Sequence, residues 1–176
     1  MPTSKTALIT VAIAASLALS SCGAATPTSS PADSSSVSVA AKPVMKAMDA
    51  EAVTKALVGK IDSVSVVMVY TEANDPNSLL GRPNGYTSKT AFADSRVSAS
   101  KIEGTDADAI VRGGSVEVYS TPSDAKGRSV YIQSLLKGVA MLGTEYHFLR
   151  GGVLVRVTGN LTPTQAAAYK EAVASL

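Results

Sequence analysis

The residues best suited to catalysis are a glutamate and a histidine two positions apart, Glu145 and His147. In a β-strand such residues lie on the same face, so the carboxylate can orient the imidazole. Because histidine titrates near neutral pH, the pair offers the general base of a hydrolase. The sequence places neither a nucleophile nor an oxyanion hole beside it. We therefore favour a surface or half-buried strand histidine without a catalytic role.

A second set of polar residues lies in the segment 72–85, which contains three Asn, two Pro and two Gly and is predicted to be a loop. Glu72, Asn74, Asp75 and Asn77 offer oxygen ligands for Ca²⁺, but their spacing does not match an EF-hand. Asn and Asp also stabilise turns by bonding to nearby backbone groups. We favour turn chemistry and predict no metal site and no cofactor.

The same loop is a candidate binding surface. Leu79 and Leu80 can anchor it on the core and leave its polar side chains available. A long loop held at defined points is either a structural staple or a recognition surface. Tyrosine is favoured at interfaces, so we add neighbouring tyrosine and arginine residues to the predicted binding surface. The predicted binding residues are Asn74, Asp75, Asn77, Arg82, Asn84, Tyr86 and Arg96.

Composition excludes several other functions. One histidine and one cysteine in 176 residues cannot build a Cys/His zinc site or an internal disulfide. The formal net charge of +2 is far from the basic character of a nucleic-acid-binding protein, so no nucleic-acid partner is predicted. The six arginines are spread along the chain and nearly balanced by acids, and we expect salt-bridged surface positions for them.

Residues 1–21 have the pattern of a secretory signal peptide. Lys5 precedes a mostly apolar run of 13 residues from Ala7, which is too short for a comfortable membrane span. The run ends in Leu19-Ser-Ser-Cys22, which is similar to the lipobox of bacterial lipoproteins. The thiol of Cys22 would accept a diacylglycerol and become the mature N terminus. The alternative is a plain secretory signal with an incidental cysteine. We predict lipidation and a location on the extracytoplasmic face of the cell membrane.

A tether and one domain are predicted to follow. Residues 22–42 begin with the cysteine and are dominated by Ser, Thr, Pro and Ala, without an aromatic residue. Such a composition cannot bury enough apolar surface to offset chain entropy, so the segment is predicted to be flexible. Residues 43–176 contain all eight aromatics and are predicted to form a globular domain.

Hydrophobic periodicity and capping residues predict eight elements in this domain. The helices are expected from Pro43 to about Gly59, from Thr121 to about Lys137, and after Thr162, which forms a capping box with Gln165. The strands are expected over 63–70 (a central strand), 86–93, 115–119, 145–150 and 153–158, the last two joined by a hairpin at Gly151-Gly152. The order α-β-β-β-α-β-β-α predicts an α+β fold of two layers, with helices packed on a mostly antiparallel sheet.

One block of the loop resembles a known family. The stretch Asn74-Asp-Pro-Asn-Ser-Leu-Leu-Gly-Arg-Pro83, together with Gly114-Ser-Val-Glu-Val-Tyr119 and Leu161-Thr-Pro-Thr-Gln-Ala166, is similar to a family of bacterial and phage-encoded secreted lipoproteins. The resemblance covers the domain from about Val64 onward. It implies a small extracytoplasmic α+β domain on a lipid tether and carries no catalytic residues.

Four functions remain open from the sequence. The favoured one is a non-enzymatic binding or interaction module, anchored to the membrane by its lipid, with an envelope protein or a small molecule as partner. A prophage lipoprotein that excludes other phages at the envelope entry machinery is implied by the resemblance alone. An envelope hydrolase would use His147 and Glu145. A purely structural accessory lipoprotein is the fourth.

Overall fold

The computed structural model describes residues 48–176. The predicted signal peptide, Cys22, the tether and positions 43–47 of the predicted domain lie outside the described residues. Within the described range, no helix is both long enough and apolar enough to cross a membrane.

Three α-helices and five β-strands make up the regular structure of this range. The helices are α1 (Ala50–Val58), α2 (Pro122–Gly138) and α3 (Pro163–Ala174). The strands are β1 (Val64–Val69), β2 (Tyr86–Asp94), β3 (Gly113–Tyr119), β4 (Glu145–Arg150) and β5 (Val153–Thr158). The predicted α+β class and element order are confirmed.

The strands form one sheet in the order β1-β2-β3-β5-β4, and every neighbouring pair is antiparallel. Strand β3 is central, and β5 lies between it and β4 although β4 precedes it in the chain. The predicted hairpin is confirmed, since Arg150 pairs with Val153 across the turn. Gly151 adopts a positive φ of 54°, which glycine tolerates without steric cost.

The hydrophobic core lies between one face of the sheet and the helices α1 and α3. The ring of Phe92 on β2 stacks on that of Tyr169 on α3, with centroids 5.6 Å apart. The Tyr169 hydroxyl donates to Oδ2 of Asp94 at 2.6 Å, which satisfies both polar groups within the core. Leu57 of α1 and Val173 of α3 are also buried here.

Helix α2 lies on the opposite face of the sheet. Its buried residues are Ala125, Ser129 and Ile132, and Ala125 packs with Tyr119 and Leu154 in a separate small cluster. The structure thus adds a detail to the expected layering, because helices cover both faces of the sheet. The second face is the one that carries the polar residues described below.

Capping residues explain where the helices begin. The predicted N-caps of α2 and α3 are confirmed: Thr121 accepts the N–H of Asp124, and Thr162 forms the capping box with Gln165. Helix α1 begins later than predicted, because Asp49 caps it by accepting the Ala52 N–H at 2.7 Å.

Strand β1 was predicted to be central, and this is wrong, because it forms an edge of the sheet. Its register shifts between Val66 and Met68, so the strand bulges and its alternation breaks. Val66 and Val69 are 42% and 45% exposed. An apolar run alone did not distinguish a central strand from a bulged edge strand.

The glycine pair at the start of β3 is required by close packing. A Cβ atom at Gly114 would collide with the ring of Phe92 and with the carbonyl oxygen of Arg156. Both neighbours are fixed, one in the core and one in the paired strand β5. Gly127 in α2 is a matched contrast, because a Cβ atom there would meet nothing within 4 Å.

We predict opposite effects for alanine at these two glycines. Gly114→Ala should lower the free energy of unfolding by about 2–3 kcal/mol through overpacking. Gly127→Ala should raise it by about 0.5–1 kcal/mol, since alanine restricts the unfolded chain and favours the helix. Thermal unfolding followed by circular dichroism measures both changes. A Gly114→Ala variant as stable as the wild type would contradict the packing described here.

Candidate binding site

The face of the sheet that carries α2 contains charged residues on four adjacent strands. Lys89 on β2 pairs with Glu117 on β3, and Arg156 on β5 pairs with His147 on β4. Glu145 lies two residues before His147 and therefore on the same face. The loop between β1 and β2 and helix α2 cover these groups, and Glu117 is completely buried. This face is therefore a buried polar layer rather than a solvated one.

Asp75 organises the loop between β1 and β2. Its Oδ2 accepts hydrogen bonds from the backbone N–H groups of Leu79 at 2.8 Å and Leu80 at 3.1 Å. Its Oδ1 accepts from the Tyr86 hydroxyl at 2.5 Å and from Nζ of Lys89 at 3.0 Å. Burial alone would raise the pKa of Asp75, but these donors outweigh it and hold the pKa well below its ordinary value. Both oxygens are occupied, which favours turn chemistry over calcium binding.

Lys89 connects this loop to the segment between β2 and β3. Its Nζ lies 4.1 Å from the centroid of the Tyr70 ring, a cation–π contact in a buried setting. The Tyr70 hydroxyl in turn donates to Oδ2 of Asp108 at 2.7 Å. One buried cation thus holds together two segments that are far apart in the sequence.

Arg156 joins the carboxylates of two neighbouring strands. Its Nε and Nη2 donate to the two oxygens of Glu145, each at 2.8 Å, and its Nη1 donates to Oε1 of Glu117 at 3.0 Å. Burial alone would lower the pKa of Arg156, but the two carboxylates outweigh it and raise the pKa above its ordinary value. The expectation of a surface salt bridge is wrong for this arginine, whose side chain is only 13% exposed.

Helix α2 and β3 complete the surroundings of Glu117. Its Oε2 accepts from the Tyr119 hydroxyl at 2.7 Å and lies 3.4 Å from Nε of Arg128 on α2. The charges of the layer therefore balance. Its carboxylates are Asp75, Glu117 and Glu145, and its cations are Lys89, Arg128 and Arg156.

His147 is held at both ring nitrogens. Nε2 donates to Oε2 of Glu145 at 3.0 Å, and Nδ1 accepts from the Ser129 hydroxyl at 2.8 Å; the carboxylate, which only accepts, assigns this tautomer. Ser129, His147 and Glu145 are the residue types of a serine-hydrolase triad, and they are joined by hydrogen bonds. However, Ser129 is only 7% exposed, because it lies on the face of α2 that packs on the sheet. A substrate has no access to its hydroxyl in this arrangement.

A cavity of about 340 Å³ opens beside the polar layer, and we call it the Ser115 pocket. Lys89, Ser115 and Arg156 form its floor. Its walls are formed by Tyr70, Pro76 and Asn77 together with Asp106, Asp108, Ala109 and Ile110. Ser115 is only 5% exposed, and no partner for its hydroxyl exists within residues 48–176.

Three of the predicted binding residues lie in or under the wall of this pocket. Asn77 lines it and donates its side-chain N–H to the Tyr86 hydroxyl at 3.2 Å. Asp75 and Tyr86 are buried behind it, so they position the wall and do not present an exposed surface. Asn74 caps the turn, because its Oδ1 accepts the Thr71 N–H at 2.7 Å.

The remaining predicted residues lie elsewhere. Arg82 and Asn84 line a second cavity of about 490 Å³ with Asp124 at the start of α2. Arg96 forms a bidentate ion pair with Asp94 at the end of β2, donating from Nε to Oδ1 and from Nη2 to Oδ2. The seven predicted residues therefore do not converge on one surface.

The floor of the pocket was not predicted from the sequence. The alternation Ser115-Val-Glu-Val-Tyr119 is typical of a strand with one solvated face, so Ser115 and Glu117 were not recognised as buried. Charges of opposite sign on neighbouring strands, such as Lys89 and Arg156 beside Glu117, were the available signal. This pattern of charges can be recognised only when the order of the strands in the sheet is known.

No family model, curated protein or solved structure matches this chain. The resemblance to bacterial and phage-encoded lipoproteins stays a prediction from the sequence blocks. The site is therefore interpreted from its own geometry.

We predict that acid weakens the fold through Glu145. Burial alone would raise its pKa, but hydrogen bonds with His147 and Arg156 lower it from 4.5 to about 2. The unfolded chain therefore binds the proton more tightly than the folded state. The stabilisation is complete above about pH 4.5 and is lost as the pH falls toward about 2, by on the order of 2–3 kcal/mol. Asp75 and Asp94, whose pKa values are also lowered, add to the loss.

Urea unfolding at several pH values measures this dependence. The control is Glu145→Gln, which should be less stable at neutral pH and should lose less stability on acidification. An unfolding free energy of the wild type that stays constant from about pH 6 to about pH 2.5 would contradict the prediction.

Proposed function

We propose that the protein is a lipoprotein anchored to the extracytoplasmic face of the cell membrane, whose folded domain binds a small polar ligand in the Ser115 pocket without transforming it. The observation that carries the binding function is a cavity whose lining includes Ser115, a residue with a buried hydroxyl that lacks a partner among the described residues. Buried polar groups are normally paired, so such a hydroxyl marks a place for a further polar molecule.

The neighbouring charges support binding rather than chemistry. Lys89 and Arg156 line the pocket, but Lys89 is already paired with Asp75 and Arg156 with Glu117 and Glu145, which fixes both side chains. Fixed donors at a concave surface orient a ligand, and the pocket lies within the size range of small-molecule sites. The described lining includes no histidine and no cysteine that could act as base or nucleophile.

The loop proposed from the sequence as a recognition surface contributes a wall to this pocket through Pro76 and Asn77. Leu79 and Leu80 pack against the small cluster around Tyr86, as expected for the anchor of the loop. The loop thus acts both as a staple and as part of the binding surface.

The proposed binding can be tested by filling the pocket. Ala109 lines it, whereas Ala107 is exposed and does not. We expect some members of a panel of amino acids, sugars, carboxylic acids and amines to give saturation-transfer NMR signals with the wild type. The signals should persist in Ala107→Phe and disappear in Ala109→Phe. Absence of binding, or binding that Ala109→Phe leaves unchanged, would refute the proposed ligand site.

A second candidate is an envelope hydrolase, favoured by the 2.8 Å contact between Ser129 and His147 and by the pairing of His147 with Glu145. It requires α2 to move away from the sheet. A fluorophosphonate probe separates the two functions, because it labels an activated, accessible serine. We expect no labelling of Ser129; labelling that His147→Ala abolishes would establish the hydrolase instead.

The anchor is proposed from the sequence before Cys22, and its test is separate. Cys22→Ala should abolish incorporation of radioactive palmitate and release the protein from the membrane fraction. Ser21→Ala is the matched control, because it keeps a small residue before the cysteine and should retain both properties. Continued labelling and membrane association of Cys22→Ala would contradict the proposal.

A further inference from the structure

We infer that the ligand of the Ser115 pocket is a small zwitterion, a free amino acid or a very short peptide, with its carboxylate on the floor and its ammonium group at the acidic rim. The inference rests on the proposed function and names the class of ligand. It depends on donors left unused at the floor and on acids grouped at the rim.

The floor has more donors than the protein uses. An ammonium group has three N–H donors, and within the described chain Nζ of Lys89 has one hydrogen-bond acceptor, Asp75. A guanidinium group has five donors, and Arg156 uses three of them on Glu117 and Glu145. The Ser115 hydroxyl adds one more.

These donors come from three adjacent strands. Ser115 on β3 pairs directly with Arg156 on β5, and Lys89 lies on β2 on the other side of β3. The donors that are not used on Asp75, Glu117 and Glu145 therefore lie side by side on one patch of the sheet. A carboxylate matches such a patch, because its two oxygens accept several hydrogen bonds in a compact plane.

The rim has the opposite character. Asp106 is exposed at the edge of the pocket, and Asp108 uses only its Oδ2 to accept from Tyr70. Since the floor cations are already neutralised by their partners, these two acids leave the pocket with a negative balance. Phosphate or another multiply charged anion is disfavoured there, whereas a ligand that carries its own ammonium group compensates the rim.

The size and the remaining walls limit the ligand further. About 340 Å³ is near the lower end of small-molecule sites. Pro76, Ala109 and Ile110 provide apolar wall surface. A short aliphatic side chain fits beside them, so L-valine is a suitable first probe.

The experiment compares L-valine with its two truncated analogues, using the full chain and isothermal titration calorimetry. Isovalerate lacks the ammonium group, and isobutylamine lacks the carboxylate. Each should bind roughly tenfold or more weakly than L-valine, because one set of pocket groups is left unpaired. Glucose and inorganic phosphate complete the panel.

Two variants assign the ends of the ligand. Ser115→Ala should weaken binding of L-valine about fivefold or more and leave thermal stability unchanged or slightly higher, since it deletes an unpartnered hydroxyl. Asp106→Asn should weaken L-valine and isobutylamine but not isovalerate. Ser63→Ala is the control, because it removes a serine hydroxyl that lies outside the pocket lining.

The outcomes distinguish the two levels of the proposal. Glucose or phosphate binding that Ala109→Phe abolishes, without L-valine binding, overturns the zwitterion and keeps the ligand site. Binding of L-valine that is as tight in Ser115→Ala and Asp106→Asn as in the wild type also overturns the inference. No binding by any probe at millimolar concentration overturns both.

Discussion

The ion pairs of Arg156 with Glu117 and Glu145 hold the polar face of the sheet together. The guanidinium bridges two buried carboxylates and is the closest cation to both of them. Removing one member of such a group typically costs about 3–5 kcal/mol, because the charges that remain are uncompensated. His147 and Arg128 depend on the same carboxylates, and through them α2 is fixed on the sheet. The position of α2 and the shape of the pocket thus follow from one charge balance.

The charge balance of the polar layer also separates the groups that have a structural role from those that have a proposed binding role. Bonds that join protein groups use both oxygens of Glu145 and three donors of Arg156. The Ser115 hydroxyl has no partner among the described residues and Asp108 accepts from Tyr70 through Oδ2 alone, and both residues line the cavity. A buried network that satisfied all of its members would only stabilise the fold. In this polar layer the Ser115 hydroxyl has no partner among the described residues, and Ser115 lies at a concave surface.

Features encoded by neighbouring residues were predictable from the sequence, whereas features that need distant partners were not. The capping box at Thr162 and the hairpin at Gly151-Gly152 depend on residues within a few positions of each other, and both were predicted. The bond between Arg156 and Glu117 joins residues 39 positions apart, and their pairing follows only from the strand order. For the same reason the loop could be proposed as a binding element from its own residues, whereas the serine on the pocket floor was missed.

The last helix has a consequence for how the chain reaches its native state. Tyr169 and Val173 of α3 are buried in the main core, and the ring of Tyr169 stacks on Phe92. β5, which pairs with the central strand, also comes from the C-terminal part of the chain. The core between the sheet, α1 and α3 therefore cannot close until β5 and α3 have both been synthesised. A chain cut off before Tyr169 would lack the aromatic stack on Phe92 and the last wall of the core, so this helix sets the earliest point at which the domain can reach its native packing.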